Sequence, residues 1–262
     1  MERSVLKSVA ALLKLSIITG LQYRSNFILD IIGSLFRAFS AIAPIWLVYL
    51  HIDNIAGWSQ FEVLIIMAIF LFYTGLNRAI MEPNLGECVE GIRQGTFDLI
   101  LMKPVDAQLL VSLRRIELGG IWSILSAVIV AVFAVQQLPV QPTSQWIWFF
   151  TLLLSGIATL YSMWMFALCS AFFFVRVDNL RFLIWTASDA GRWPIQVYSG
   201  WLRLLFLTII PVGAITSLPT MALLGKSTLQ WNLLGIGLGV LFVTISRICW
   251  NHSLRHYSSA SS

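Results

Sequence analysis

Six runs of roughly twenty apolar residues, separated by polar segments, recur along the 262-residue chain. A run of that length, wound as an α-helix, matches the ~30 Å hydrocarbon core of a bilayer. Inside hydrocarbon every backbone N–H and C=O must be bonded within the fold, which leaves only helices or a closed barrel. The runs are continuous rather than alternating. The expected fold class is therefore all-α: a polytopic membrane protein with spans at about 26–50, 61–77, 116–138, 146–175, 196–217 and 231–250. Charged residues make up 11% of the chain, against ~25% in a soluble domain. One transmembrane domain, 1–262, absorbs the whole length, and no soluble catalytic domain fits beside it.

Details of the runs add expectations. Residues 3–22 place Lys7, Ser8 and Lys14 on one face and Val5, Val9, Leu12 and Ile17 on another, the pattern of a basic helix lying in the headgroup plane. No short apolar core with a small-residue cleavage site opens the chain, so no removable signal peptide is expected. The fourth span, at ~45 Å if fully helical, has to tilt or protrude. The fifth contains Pro211, with Pro219 close behind. A proline inside a span removes a donor, so a broken or re-entrant element is expected there. Gly235, Gly237 and Gly239 in the sixth span form a small-residue packing face.

Orientation follows from lysine and arginine. The N-terminal segment, 78–115, 176–192 and the C-terminal end carry nearly all of them. The alternate loops 51–60 and 139–145 carry none, and 218–230 carries only Lys226. This positive-inside pattern places both termini and the 82–115 segment on the cytoplasmic side.

That segment is the longest polar interruption. It holds five acids (Glu82, Glu87, Glu90, Asp98, Asp106) and four bases (Arg93, Lys103, Arg114, Arg115). Mixed charge of this kind does not anchor anionic lipid and suits a docking surface for another protein. Residues 84–94 have helical spacing, with Leu85, Val89 and Ile92 on one side, and Gly95 is a stop signal. Docking would use Glu87, Glu90 and Arg93 for polar contacts and Leu85, Val89 and Ile92 to fill a partner's groove.

A second polar feature is a stripe in the first span. Asn26, Asp30, Ser34 and Arg37 share a helical face. Ionisable groups inside a span mark a pathway, a subunit interface or a structural pairing. Trp201 and Arg203 in the fifth span join these as candidates for a path or interface. Most tryptophans sit near span ends, where interface anchoring explains them.

Several chemistries lack residues. No GxxxxGK[ST], HExxH or GxSxG motif occurs. His51, His252 and His256 stand at span ends or in the tail, and Cys88, Cys169 and Cys249 form no CxxC pair. No catalytic, cofactor-binding or metal-ligating residue is assigned, and nothing points to nucleic acid.

The run Glu90 to Pro104, EGIRQGTFDLILMKP, resembles the cytoplasmic loop of bacterial type-2 ATP-binding-cassette exporter permeases. Arg93, Gly95, Asp98, Leu101 and Lys103-Pro104 fit its R-x-G-x-x-D/E-x-x-L pattern and following Lys-Pro. Arg192-Trp193-Pro194, Tyr198 and Ile210-Pro211 resemble a six-span subgroup of that family. The resemblance implies an interfacial N-terminal helix, a coupling helix in the first cytoplasmic loop and a broken fifth span. It implies a bacterial inner-membrane location and partners: cassette ATPase subunits that bind ATP and Mg, a second permease subunit (the same chain or a paralogue), and membrane lipid. It assigns coupling to Leu85, Glu87, Val89, Glu90, Ile92, Arg93, Gly95, Asp98, Lys103 and Pro104. The cargo expected is a hydrophobic or organic-cation compound, with a lipid or glycolipid as the alternative. A secondary carrier or a membrane scaffold without an ATPase is the rival reading. A carrier would be expected to show repeated halves or several mid-membrane carboxylates.

Overall fold

The computed structural model describes residues 24–173 and 178–257. The expected interfacial helix at 3–22 and the side chain of Asn26 lie outside the described residues. Among those described, the chain is helical throughout, with one isolated bridge between Ile55 and Trp58.

The first span is α1 (Arg24–Tyr49). The second begins as α2 (Gln60–Leu76), capped by Ser59 and Glu62 in a reciprocal box. The helix does not stop at residue 77, where the sequence expectation ends the span. The helix continues through a π-turn (Asn77–Met81) into α3 (Glu82–Arg93), giving one apolar helical run from Gln60 to Arg93. Polar residues within 77–93 looked like an exit, but helix geometry needs only satisfied backbone groups, and these are satisfied. The π-turn precedes Pro83, which has no N–H to offer the carbonyl one turn back. That carbonyl, on Ala79, accepts instead from Glu117 N–H at 2.8 Å.

Two short helices follow, α4 (Asp98–Leu101) and α5 (Ala107–Ser112). The third span is α6 (Leu118–Gln136) and the fourth α7 (Thr143–Ser170). The fifth crossing is built from pieces. It rises through α8 (Asp178–Ser188) and a 3-10 turn (Asp189–Arg192). It then runs through a second 3-10 turn (Ile195–Val197) into α9 (Gly200–Leu204) and a π-turn (Leu205–Ile209), and ends as α10 (Val212–Leu223). The Gly200–Ile209 and Val212–Leu223 segments meet at 89°. The break expected at Pro211 is present, but Pro219 sits inside α10 without ending it. The expected limits of 196–217 miss both the inner piece, α8, and the last turns of α10. The last span is α11 (Leu229–His256).

α2 is the axle of the bundle, with Val63 to Leu71 buried. Its approach to α6 is close: a Cβ on Gly120 would overlap the backbone of Ala79, and one on Gly75 would lie 2.8 Å from Ile124. At one end Lys226 binds Glu62 at 2.7 Å and covers the Trp58 ring. The opposite end carries α3, α4 and α5, and is called the loop end below. Gly235 and Gly239 of α11 pack closely on α7, whereas Gly237 faces open space.

Candidate functional site

The loop end is a clamped surface with an exposed apolar tip. Its first clamp is Asn84, buried at 2% exposure. Its Oδ1 accepts from Arg115 N–H at 2.7 Å and its Nδ2 donates to Arg115 O at 2.7 Å. One side chain thus satisfies both backbone groups of Arg115. Glu87 adds an ion pair with Arg114 at 3.0 Å. These contacts fold the return strand of the loop back against α3.

The second clamp is aromatic. α3 ends at Gly95, whose φ of 72° allows the left-handed turn that closes a helix. Phe97 N–H then donates to Gly91 O at 3.1 Å. The turn drives the Phe97 ring, fully buried, between Phe172, Trp250 and Tyr257, with ring centres 5.5, 6.2 and 5.3 Å away, all edge-on. Phe97 therefore fastens the loop to the ends of α7 and α11.

The third clamp is polar. Asp106 caps α5 by accepting from Leu109 N–H at 3.1 Å. It also receives a two-point contact from Arg247 of α11, which donates to Gln108 Oε1 at 2.6 Å as well. Gln108 Nε2 donates to Tyr161 Oη of α7 at 3.0 Å. Hydrogen bonding from Arg247 holds the Asp106 carboxyl below the usual aspartate range.

The coupling candidates divide by exposure. Glu87, Glu90 and Arg93 are exposed on α3, with Glu90 bonded to Gln94 Nε2 at 2.6 Å. Glu82, Glu87 and Glu90 border an open groove with Arg78, Arg115 and Trp185. Leu85 and Val89 are buried, and Ile92 packs against the same core. The expectation that these three fill a partner's groove is corrected: they hold α3 to its own chain. Asp98 is half-buried, and Lys103 and Pro104 are exposed. The apolar surface left for a partner lies further on, at Leu99, Leu101, Met102 and Leu109, with Met102 79% exposed.

The α1 stripe is a seam within the chain. Ser34 is buried and donates to Gly119 O, Ser123 donates to Ser34 Oγ, and Arg37 Nη2 donates to Ser34 Oγ at 2.8 Å. Asp30 lies against Gly119. These contacts favour structural pairing between α1 and α6 at those positions. Trp201 is 73% exposed on α9, with Arg203 half-buried beside it.

The sequence model of one family, described as ABC-2 family transporter protein, matches residues 35–261. The chain belongs to the ABC-2 transporter family. No curated protein and no solved structure matches it. ABC-2 permeases are the membrane component of a transporter and associate with a separate cassette ATPase, so the chain is an integral membrane permease rather than the hydrolytic subunit. The family match includes all three clamps. Sequence reading missed Asn84, Phe97 and the Asp106–Arg247 pair. Asn84 carried no signal beyond its place in a helix. Phe97 is one phenylalanine among seventeen, and Arg247 counted only as a marker of orientation.

Proposed function

We propose that this chain is the permease subunit of an ATP-driven exporter. The ATPase, holding ATP and Mg, docks on the α3–α5 surface and moves it as a unit. The observation that supports this reading is the unbroken helical run from Gln60 to Arg93, whose end is tied to α7 and α11 by Phe97 and Arg247. Force applied at the exposed tip passes through the Gly95 turn, which the buried Phe97 ring pins, into α3 and the buried axle. Glu87, Glu90 and Arg93 supply the polar contacts, Leu99, Met102 and Leu109 the apolar ones, and Gly95, Lys103 and Pro104 the turn geometry. Asp98 supports α4 from its first turn. Both termini and the loop end face the cytoplasm of a bacterial inner membrane, and a second permease subunit completes the complex.

The cargo in this reading is a hydrophobic or organic-cation compound. Lipid or glycolipid export is a second reading favoured by one observation. Two almost wholly apolar grooves, of about 410 and 450 Å³, flank α6 at membrane depth, and such grooves accept acyl chains without polar contacts.

Purification of the full chain from its native membrane in mild detergent tests the proposal. A cassette ATPase is expected to co-purify, and Met102→Asp is expected to release it while leaving the permease folded. Recovery of the chain alone from several detergents would favour a carrier or scaffold.

A further inference from the structure

The 3-10 turn Asp189–Arg192 stands at an unusual depth. Glu62, paired with Lys226, and Arg78 bracket the uncharged part of the helix, about 24 Å apart at ~1.5 Å per residue. The Arg192 guanidinium lies 5.0 Å from the centre of the Phe70 ring, and Phe70 is about 12 Å from Glu62 on the same rise. Arg192 is therefore near mid-membrane. It pairs with Asp189 at 2.8 Å, and both side chains stay about half exposed, at 43% and 52%. Charges at this depth do not face lipid; they face protein or a water-filled space.

Two further observations favour water. Behind the turn lies a pocket of about 40 Å³ with Gly191 in its wall, enough for at least one water. Asn77 and Trp164 line it, at 6% and 2% exposure, and Asn77 Oδ1 and Trp164 Nε1 have no protein partner. One is an acceptor and the other a donor, which a single water can serve together. The chain also leaves helical geometry at Trp193 and Pro194, directly after Arg192 and before a 3-10 turn at Ile195–Val197. Irregular backbone at membrane depth persists where it is buried in protein or borders a water-filled cavity.

We propose that Asp189 and Arg192 line a water-filled vestibule reaching mid-membrane, and that its water enters the pocket between Asn77 and Trp164. This deepens the permease reading, on which it rests, by naming a stretch of its path. Its test needs no ATPase, so the two can fail separately.

The full chain in sealed membrane vesicles carries Asp189→Cys and is treated with a charged methanethiosulfonate, which reacts with thiolate in water. Leu154→Cys, on an exposed face of α7 at similar depth, is the lipid-facing control. Thr143→Cys, exposed at the start of α7, is the aqueous control. The unsubstituted chain sets the background from Cys88, Cys169 and Cys249. Asp189→Cys is expected to react within about tenfold of Thr143→Cys and about a hundredfold faster than Leu154→Cys, because only hydrated thiols ionise. A rate equal to that of Leu154→Cys overturns the vestibule. Where Asp189→Cys does not reach the membrane, Thr186→Cys, exposed one turn earlier, carries the test with the same two outcomes. Asn77→Leu reports on the pocket. A wet pocket predicts a lower melting temperature, because a bridged amide is lost. A rise overturns it, since removing an unpaired buried acceptor stabilises a dry site.

Discussion

Two spans of this permease have the same mean hydropathy, 1.9, and opposite surroundings. In the Gln60–Arg93 run 72% of the most apolar stretch is buried, while in α11 the figure is 22%. Hydropathy reports that a segment can enter hydrocarbon. It does not report whether lipid or protein will touch it, because both are apolar neighbours. What separates the two helices is shape. α2 approaches α6 through Gly75 and Gly120, at backbone contact, the close small-residue packing that drives helix association in membranes. α11 packs through Gly235 and Gly239 along one line only. Its membrane half leaves Leu233, Val240 and Leu241 exposed. Along that line Ser155 of α7 donates to Gly235 O at 2.8 Å and Ser246 meets Ser162, and at the loop end Trp250 and Arg247 add further contacts.

The largest expected effect breaks the axle. Gly120→Leu drives a side chain into the Ala79 backbone. Overpacking that displaces backbone costs about 3 kcal/mol or more, so no monodisperse peak is expected in detergent size-exclusion chromatography. Next comes the aromatic clamp on α11. Phe97→Ala should cost ~3–5 kcal/mol and release the loop, seen as faster hydrogen exchange across 96–112 with α2 still protected. Protection of the loop in that variant would show that the ring is not what holds it.

The Asp106–Arg247 contact should matter less, because both side chains are 44–46% exposed; solvent-screened pairs contribute about 0.2–1 kcal/mol. The folded carboxyl titrates below its unfolded value. Its contribution is therefore complete above the ordinary aspartate pKa of about 3.9 and fades as pH falls through the lowered value. Asp106→Asn should lower the melting temperature slightly at pH 7 and flatten its acid dependence; an unchanged acid limb would place that dependence on other carboxylates. The smallest effect is Gly237→Ala on α11, which meets nothing within 4 Å. It should shift stability by no more than about 0.5 kcal/mol in a thermal melt. A large loss there would mean that this face is covered by another subunit.

What the sequence by itself determined is the material of the fold. Apolar runs of bilayer length force helices, because unpaired backbone cannot remain in hydrocarbon. Pro211 forces a break in the fifth span, and the Arg93–Pro104 pattern marks the segment that resembles the family's cytoplasmic loop. These are properties of a residue and its chain neighbours. Contacts between distant segments were decided only by the tertiary structure. Polar Asn77 and Arg78 read as an exit, yet the helix runs on because Glu117 takes the carbonyl that Pro83 leaves unpaired. Leu85 and Val89 were apolar on one side of a helix, which does not say whose core they fill; packing turned that side inward and left Met102 outside. Arg192 counted among the cytoplasmic-side charges of 176–192, and the fold carries it to the level of Phe70. Periodicity along one helix encodes which residues share a face, and only the packed bundle decides what that face meets.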